Sequence, residues 1–167
     1  MSAIADALGV LHIDMPATRE KLWRALRAGG VNMDGVFPGS PSRDVGVTGG
    51  DKNELTRYLG AAMKAMGLYQ TTEDHPERGG YYRSDHFSFA KLGVPMFAVG
   101  RGSDWVVGGK AAGEAAGEDY VKNRYHQPSD QYDPKWDWSG PVQEVSLYYR
   151  LGRMLAMTSD WPNWHKT

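Results

Sequence analysis

Residues 79–100 read G-G-Y-Y-R-S-D-H-F-S-F-A-K-L-G-V-P-M-F-A-V-G, and residues 124–130 read R-Y-H-Q-P-S-D. An apolar run (Val94, Met96, Phe97, Ala98, Val99) ends at Gly100. Its length and β-branched content predict a buried strand over Val94 to Val99. Before it, Ser84 can cap a short helix that runs to Leu92 and stops at Gly93. After it, a long connection from Gly100 to Tyr125 delivers one histidine, His126. Loops beyond the carboxyl ends of strands carry the chemistry of open α/β sheets. An imidazole held there is a candidate metal ligand.

Outward from this stretch, the pattern alternates strands with helices. Pro16 to Ala28 predicts a helix with Leu22, Trp23 and Leu26 on one face and Gly29-Gly30 as its stop. Val31 to Phe37 is a short apolar run broken by Asp34, Pro38 to Pro41 is a turn, and Asp44 to Thr48 alternates as a strand. Asp51 to Met66 reads as the clearest helix, with Asp51 capping, Glu54 three residues on, and Gly67 as the stop. Leu68 to Thr72 reads as a strand and Glu73 to Gly80 as a polar loop. Ser139 to Met157 forms the last helix, with Pro141 tolerated in its first turn. The small-residue tract A-A-G-E-A-A-G-E at 111–118 falls in the long connection, and connections of that length are functional or mobile. The expected class is α/β, a layered sandwich around a mostly parallel or mixed sheet.

At 167 residues the chain is one domain by length, large enough to bury a core. A net charge of -1 and a pI near 6.5 give no electrostatic case for nucleic acid or an anionic membrane. The absence of cysteine excludes disulfides and thiolate chemistry. Apolar runs fall short of the ~20 residues of a membrane span. The first residues lack the basic and apolar regions of a signal peptide, so the compartment stays open. The tryptophans and tyrosines cluster from Trp105 onward, as helix-packing anchors or pocket walls.

Each candidate has an ordinary reading beside the chemical one. A single loop histidine such as His126 is more often a packing or surface residue than a ligand. An aspartate after a short strand, as Asp34 is, is usually a turn former or cap. Ser84, Asp85 and His86 are adjacent in sequence, and adjacency does not build a nucleophile and its base. Gly109-Lys110 lacks the serine or threonine of a phosphate loop, and Gly100-x-Gly102 lacks its third glycine.

From Val31 to the end, however, the chain resembles the C-terminal half of the catalytic domain of co-catalytic zinc aminopeptidases. That group includes bacterial leucine aminopeptidases, glutamate carboxypeptidase II and the glutaminyl cyclases. V-N-M-D-G is similar to the family's N-x-D segment, which makes Asp34 the match to a zinc-binding aspartate. Y-R-S-D-H-F-S-F-A-K-L-G-V-P is similar to its S-D-H-x-x-F…G-x-P block. R-Y-H-Q-P-S-D is similar to its Y-H-x-x-x-D block, which makes His126 the match to a ligand of the other zinc. Tyr81 falls where some members place an oxyanion-stabilising tyrosine, and Y-D-P-K-W-D-W-S-G also resembles bacterial members. Ser84 and Asp85 are then read as capping or supporting residues rather than ligands. The implied fold is a three-layer sandwich truncated relative to the zinc-exopeptidase fold.

The resemblance also implies parts that this sequence lacks. The family places an H-x-D motif, a bridging aspartate and a Glu-Glu pair before the N-x-D segment. His12-Ile13-Asp14 fits the first, but no Glu-Glu follows, and Glu20 is the only glutamate before Asp34. Residues 1–30 are therefore read as unrelated or atypical sequence, and 31–167 as the C-terminal half of a zinc-peptidase-like domain. The leading reading is a zinc exopeptidase of aminopeptidase type acting on peptides, with an incomplete site and weak or absent binding of its two zinc ions. The others are a non-catalytic binding or assembly domain of the same fold, a glutaminyl-cyclase-like transferase, and last a carbohydrate module on Trp136, Trp138, Trp161 and Trp164. Neither nucleic acid nor membrane is expected as a partner; self-association or a complementing chain is. Complete members of the family are often secreted or periplasmic. Asp34 and His126 are expected to face one cavity, within about 7 Å if two zinc ions once lay between them.

Overall fold

The computed structural model describes residues 29–72 and 76–165; the helix expected over 16–28 lies outside them. Four strands form one mixed sheet in the order β1-β4-β2-β3. They are β1 (Gly30–Asn32), β2 (Asp44–Thr48), β3 (Tyr69–Thr71) and β4 (Met96–Arg101). β4 runs parallel to β1, with Val31 opposite Phe97 and Asn32 opposite Ala98. It runs antiparallel to β2, with Val47 opposite Val99, and β2 pairs in parallel with β3.

Among the described residues four α-helices accompany the sheet: α1 (Thr56–Met66), α2 (His86–Ala90), α3 (Gly109–Asn123) and α4 (Ser139–Met157). Side chains alternate across a strand, so Val45, Val47, Phe97 and Val99 point to one side. There they join Leu55, Tyr58, Leu59, Ala62 and Met63 with Leu147 and Leu151 of α4 in a single core. Thr48 and Ala98 line a cleft that α3 shares with the sheet, while α2 lies against β4 and β1. The result is the α/β sandwich with a mixed sheet expected from the sequence. Among the described residues no helix is long and apolar enough to cross a membrane.

Two elements differ from expectation, each for a local reason. Asp51 does not cap α1. Gly50–Lys52 forms a separate 3-10 turn, and the fully buried Asn53 opens the helix instead. Its Oδ1 accepts from the Leu55 N–H at 3.1 Å, and its Nδ2 donates to the Met96 carbonyl at 3.0 Å. One side chain thus starts the helix and ties it to β4. Glu54 accepts from the Asn163 N–H at 3.0 Å, so it holds the C-terminal tail rather than closing a capping box. Gly67 does end the helix, in the left-handed conformation at φ 68°.

The second difference is α3, which occupies most of the connection expected as loop. Glycines cost a helix about 1 kcal/mol each relative to alanine, so a tract with Gly109, Gly113 and Gly117 reads as loop. Gly113 has a reason that local sequence hides. A Cβ there would stand 2.1 Å from the Ser103 carbonyl oxygen, so only glycine lets the helix approach that loop.

A guanidinium closes the end of β4. Arg101 donates from Nη1 to the carbonyls of Gly39 at 2.9 Å and Ser40 at 2.7 Å, and from Nη2 to Phe37 at 2.6 Å. Its plane lies over the rings of Phe37 and Trp105, and Gly140 leaves it room. Burial pushes its pKa down while Glu144 and Asp137 pull it back. Buried Glu144 is pushed up by the same desolvation, and Arg101 opposes that rise. Arg101→Met strands the three carbonyls and leaves Glu144 without its counter-charge, at a cost of about 3 kcal/mol in urea unfolding. Arg101→Lys should recover little, because an ammonium cannot span the fork.

Candidate functional site

Asn32 is the last residue of β1, and Asp34 follows two residues beyond the sheet. Asn32 Nδ2 donates to Ser84 Oγ at 2.8 Å, and Ser84 Oγ donates to Asp34 Oδ2 at 2.7 Å. The relay joins the end of β1 to the turn before α2 and fixes one oxygen of an otherwise exposed carboxylate. A carboxylate has about four acceptor positions and among the described residues only one is used here, so Asp34 can accept a further donor or a cation. The serine side chain thus serves Asp34 and does not cap α2, whose start has no side-chain cap. Asp85 is exposed at that start. The Asn32 carbonyl is itself held by the Tyr148 hydroxyl at 2.7 Å, which is shared with the Val99 carbonyl. Burial and the neighbouring Glu144 push the Tyr148 phenol well above its ordinary range, so it stays a donor.

Tyr81 and His86 form a second, buried corner. Tyr81 is 8 % exposed and His86 1 %, with ring centroids 4.8 Å apart. Gly49 makes room for the tyrosine: a Cβ there would lie 2.3 Å from the ring, and the backbone sits at φ 79°. Phe87 and Tyr82 meet the same ring edge-on, and the Lys52 ammonium stands 5.7 Å from its centroid. The Tyr81 hydroxyl makes no hydrogen bond among the described residues, and burial raises its pKa, with Tyr82 and Asp51 adding to the rise. Both ring nitrogens of His86 are likewise without a partner. Desolvation lowers its pKa; the nearby Tyr81 backbone, Asp34 and Asp85 pull the other way.

His126 lies in the exposed loop after α3, stacked on Tyr125 with centroids 3.9 Å apart. It is the one non-glycine residue with positive φ, at 57°, among the described residues. Histidine tolerates that region better than most, and backbone outliers gather at functional sites. A ladder of rings connects it to the other end of the candidate site. Phe37, three residues after Asp34, stacks on Tyr120 at 5.2 Å. Tyr120 meets Tyr125 at 6.1 Å, and Tyr125 carries His126. The Tyr120 hydroxyl donates to Asp130 at 3.1 Å, so the aspartate of the R-Y-H-Q-P-S-D block steadies the ladder. No hydrogen bond, ion pair or ring contact joins Asp34 to His126 directly among the described residues. A cleft of about 1130 Å³ between the sheet and α3, lined by Phe37, Thr48, Arg101, Trp105 and Lys122 among others, includes none of Asp34, Tyr81, His86 and His126.

The family model described as Peptidase family M28 matches residues 15–149. The chain belongs to peptidase family M28. Searches of curated proteins and of solved structures found no match. Metallopeptidase chemistry therefore holds at the level of the family, whose members depend on zinc. The described residues of this M28 chain do not by themselves fit that metal. A catalytic zinc takes three protein ligands and a water, and no group of three or more His, Cys, Asp or Glu among the described residues could hold an ion.

Sequence reasoning overlooked Asn32, although it is the asparagine of N-x-D, and it overlooked the Phe37–Tyr120–Tyr125 ladder because α3 read as loop. His86 carries a pH prediction. Its folded pKa lies below the ordinary value of about 6.5, so the unfolded chain takes up the proton first. Stability is full above that value and falls as pH drops below it, by at most about 1.4 kcal/mol per pH unit. Urea midpoints measured between pH 7.5 and 5 should fall less steeply for His86→Phe than for the parent chain.

Proposed function

We propose that this chain carries one part of the active site of a zinc-dependent exopeptidase of aminopeptidase type. Asp34 is a ligand of one zinc, His126 a ligand of the other, and the remaining ligands and the general base come from outside residues 29–165. The observation that carries the reading is the Asn32–Ser84–Asp34 relay, because ligating carboxylates are held by hydrogen-bonded neighbours. The ring ladder from Phe37 to His126 adds support, since it runs from the segment after Asp34 to the second candidate ligand. Tyr81 supplies a donor for the oxyanion of the substrate amide. Its phenol is buried, kept protonated and held by Gly49 and His86.

The non-catalytic alternative draws on the lack of a three-ligand group among the described residues, and the two readings part in experiment. Alone, the purified chain should bind zinc weakly, hydrolyse no leucine p-nitroanilide, and self-associate through β1, which among the described residues pairs on one side only. Mixed with a segment of a complete M28 enzyme that carries the H-x-D and Glu-Glu motifs, it should gain zinc-dependent hydrolysis. In that complex Asp34→Asn should lower kcat/KM at least about 100-fold. Tyr81→Phe should lower kcat by about 100-fold with little change in KM. Hydrolysis that survives Asp34→Asn would refute the ligand role. Complex formation without any hydrolysis would favour a binding domain, and pyroglutamate release from a glutamine peptide would favour the transferase branch.

A further inference from the structure

Beyond the ring ladder, the segment between His126 and α4 builds a group of three aromatic rings with a particular arrangement. Tyr132 and Trp138 are nearly parallel, at 18° with centroids 6.2 Å apart. Trp136 stands across both, at 69° to Tyr132 and 60° to Trp138, with centroids 6.0 and 5.6 Å away. The three rings pack together as one open aromatic box, whose outer faces rather than its 6.2 Å interior can take a guest. Tyr132 is 70 % exposed and Trp138 42 %, so the box faces solvent and contributes little to the core. The negative faces of such rings attract cations, tryptophan most strongly.

A cation already sits against it. The Arg124 guanidinium carbon lies 5.2 Å from the centroid of Trp136, and among the described residues this side chain makes no hydrogen bond or ion pair. The same segment carries two carboxylates beside one lysine, Lys135. Asp133 accepts from the Lys135 N–H, and Asp137 accepts from the backbone and hydroxyl of Ser139, which hold its pKa below the usual carboxylate range. Asp133 and Asp137 bracket Trp136 in sequence, and Arg124 rests on Trp136 with no ionic partner among the described residues.

We infer that Tyr132, Trp136 and Trp138 form a recognition site for the guanidinium or ammonium group of a basic peptide side chain, with Arg124 as its internal stand-in. Arg124 opens the segment that carries His126, so a peptide held by the box lies beside the candidate catalytic loop. That the peptide is a substrate rests on the peptidase reading; that the rings bind a cation does not.

The test uses the full chain without zinc, so peptidase failure and failure of the box are separable. Tryptophan fluorescence is titrated with N-acetyl-arginine amide and with its uncharged isostere, N-acetyl-citrulline amide. Saturable quenching by the arginine compound alone is expected, with a weak Kd of about 10 mM or above, because each exposed cation–π contact contributes little. Trp138→Ala and, separately, the more exposed Tyr132→Ala should each weaken it about three-fold or more. Arg124→Ala should tighten it about two- to three-fold by removing the competitor. Equal quenching by the citrulline compound, or an unchanged Kd in folded Tyr132→Ala, overturns the site. An unchanged Kd in Arg124→Ala overturns the stand-in role.

Discussion

The parallel pairing of β1 with β4 sets Asn32 level with Ala98, and the chemically equipped residues gather around the ends of those two strands. Three hydrogen-bonding groups hold the junction. The Tyr148 hydroxyl reaches from α4 to the carbonyls of Asn32, at the end of β1, and of Val99, within β4. The Asn32 amide passes the alignment to Ser84 and so to Asp34. Arg101, at the end of β4, gathers the carbonyls of 37–40 and fixes the return of the chain to β2. Asp34 thus stands between two anchored points, and its geometry is only as good as that pairing.

The site also carries costs that a purely structural design would avoid. His86 is sealed with neither ring nitrogen well hydrogen-bonded among the described residues, and such a group costs about 1–3 kcal/mol. His126 adopts a backbone conformation that glycine would take more easily. Arg101 and Glu144 place opposite charges in low-polarity surroundings, where desolvation offsets much of their attraction. None of the three falls in the Val45–Phe97–Leu151 core, where the buried cluster is apolar. Backbone strain and unpaired polar groups are found at functional sites more often than in plain architecture.

Much of the fold was legible because its signals are local. The alternation of Asp44–Thr48, the apolar run into Gly100, and the periodicity of Ser139–Met157 each point to the element that forms. What escaped depends on contacts distant in sequence. The helix over Gly109–Asn123 exists despite its glycines because Gly113 must pass the Ser103 carbonyl. Asn53 took the capping role from Asp51 because its amide also reaches Met96. The family blocks named Asp34, Tyr81, Ser84 and His126 as residues of interest. Neither the Asn32 relay nor the ladder through Tyr120 could be read without the fold, since they join positions 52 and 83 residues apart.

The proposed function requires Asp34 to be a metal-ligating carboxylate aimed by its neighbours, not a surface turn residue. Diffraction at the zinc absorption edge, from crystals of the full chain equilibrated with millimolar zinc, tests this directly. An anomalous peak about 2 Å from an Asp34 carboxylate oxygen is the expected result. Peaks confined to other residues, with the Asp34 carboxylate resolved and bare at saturating zinc, would contradict it.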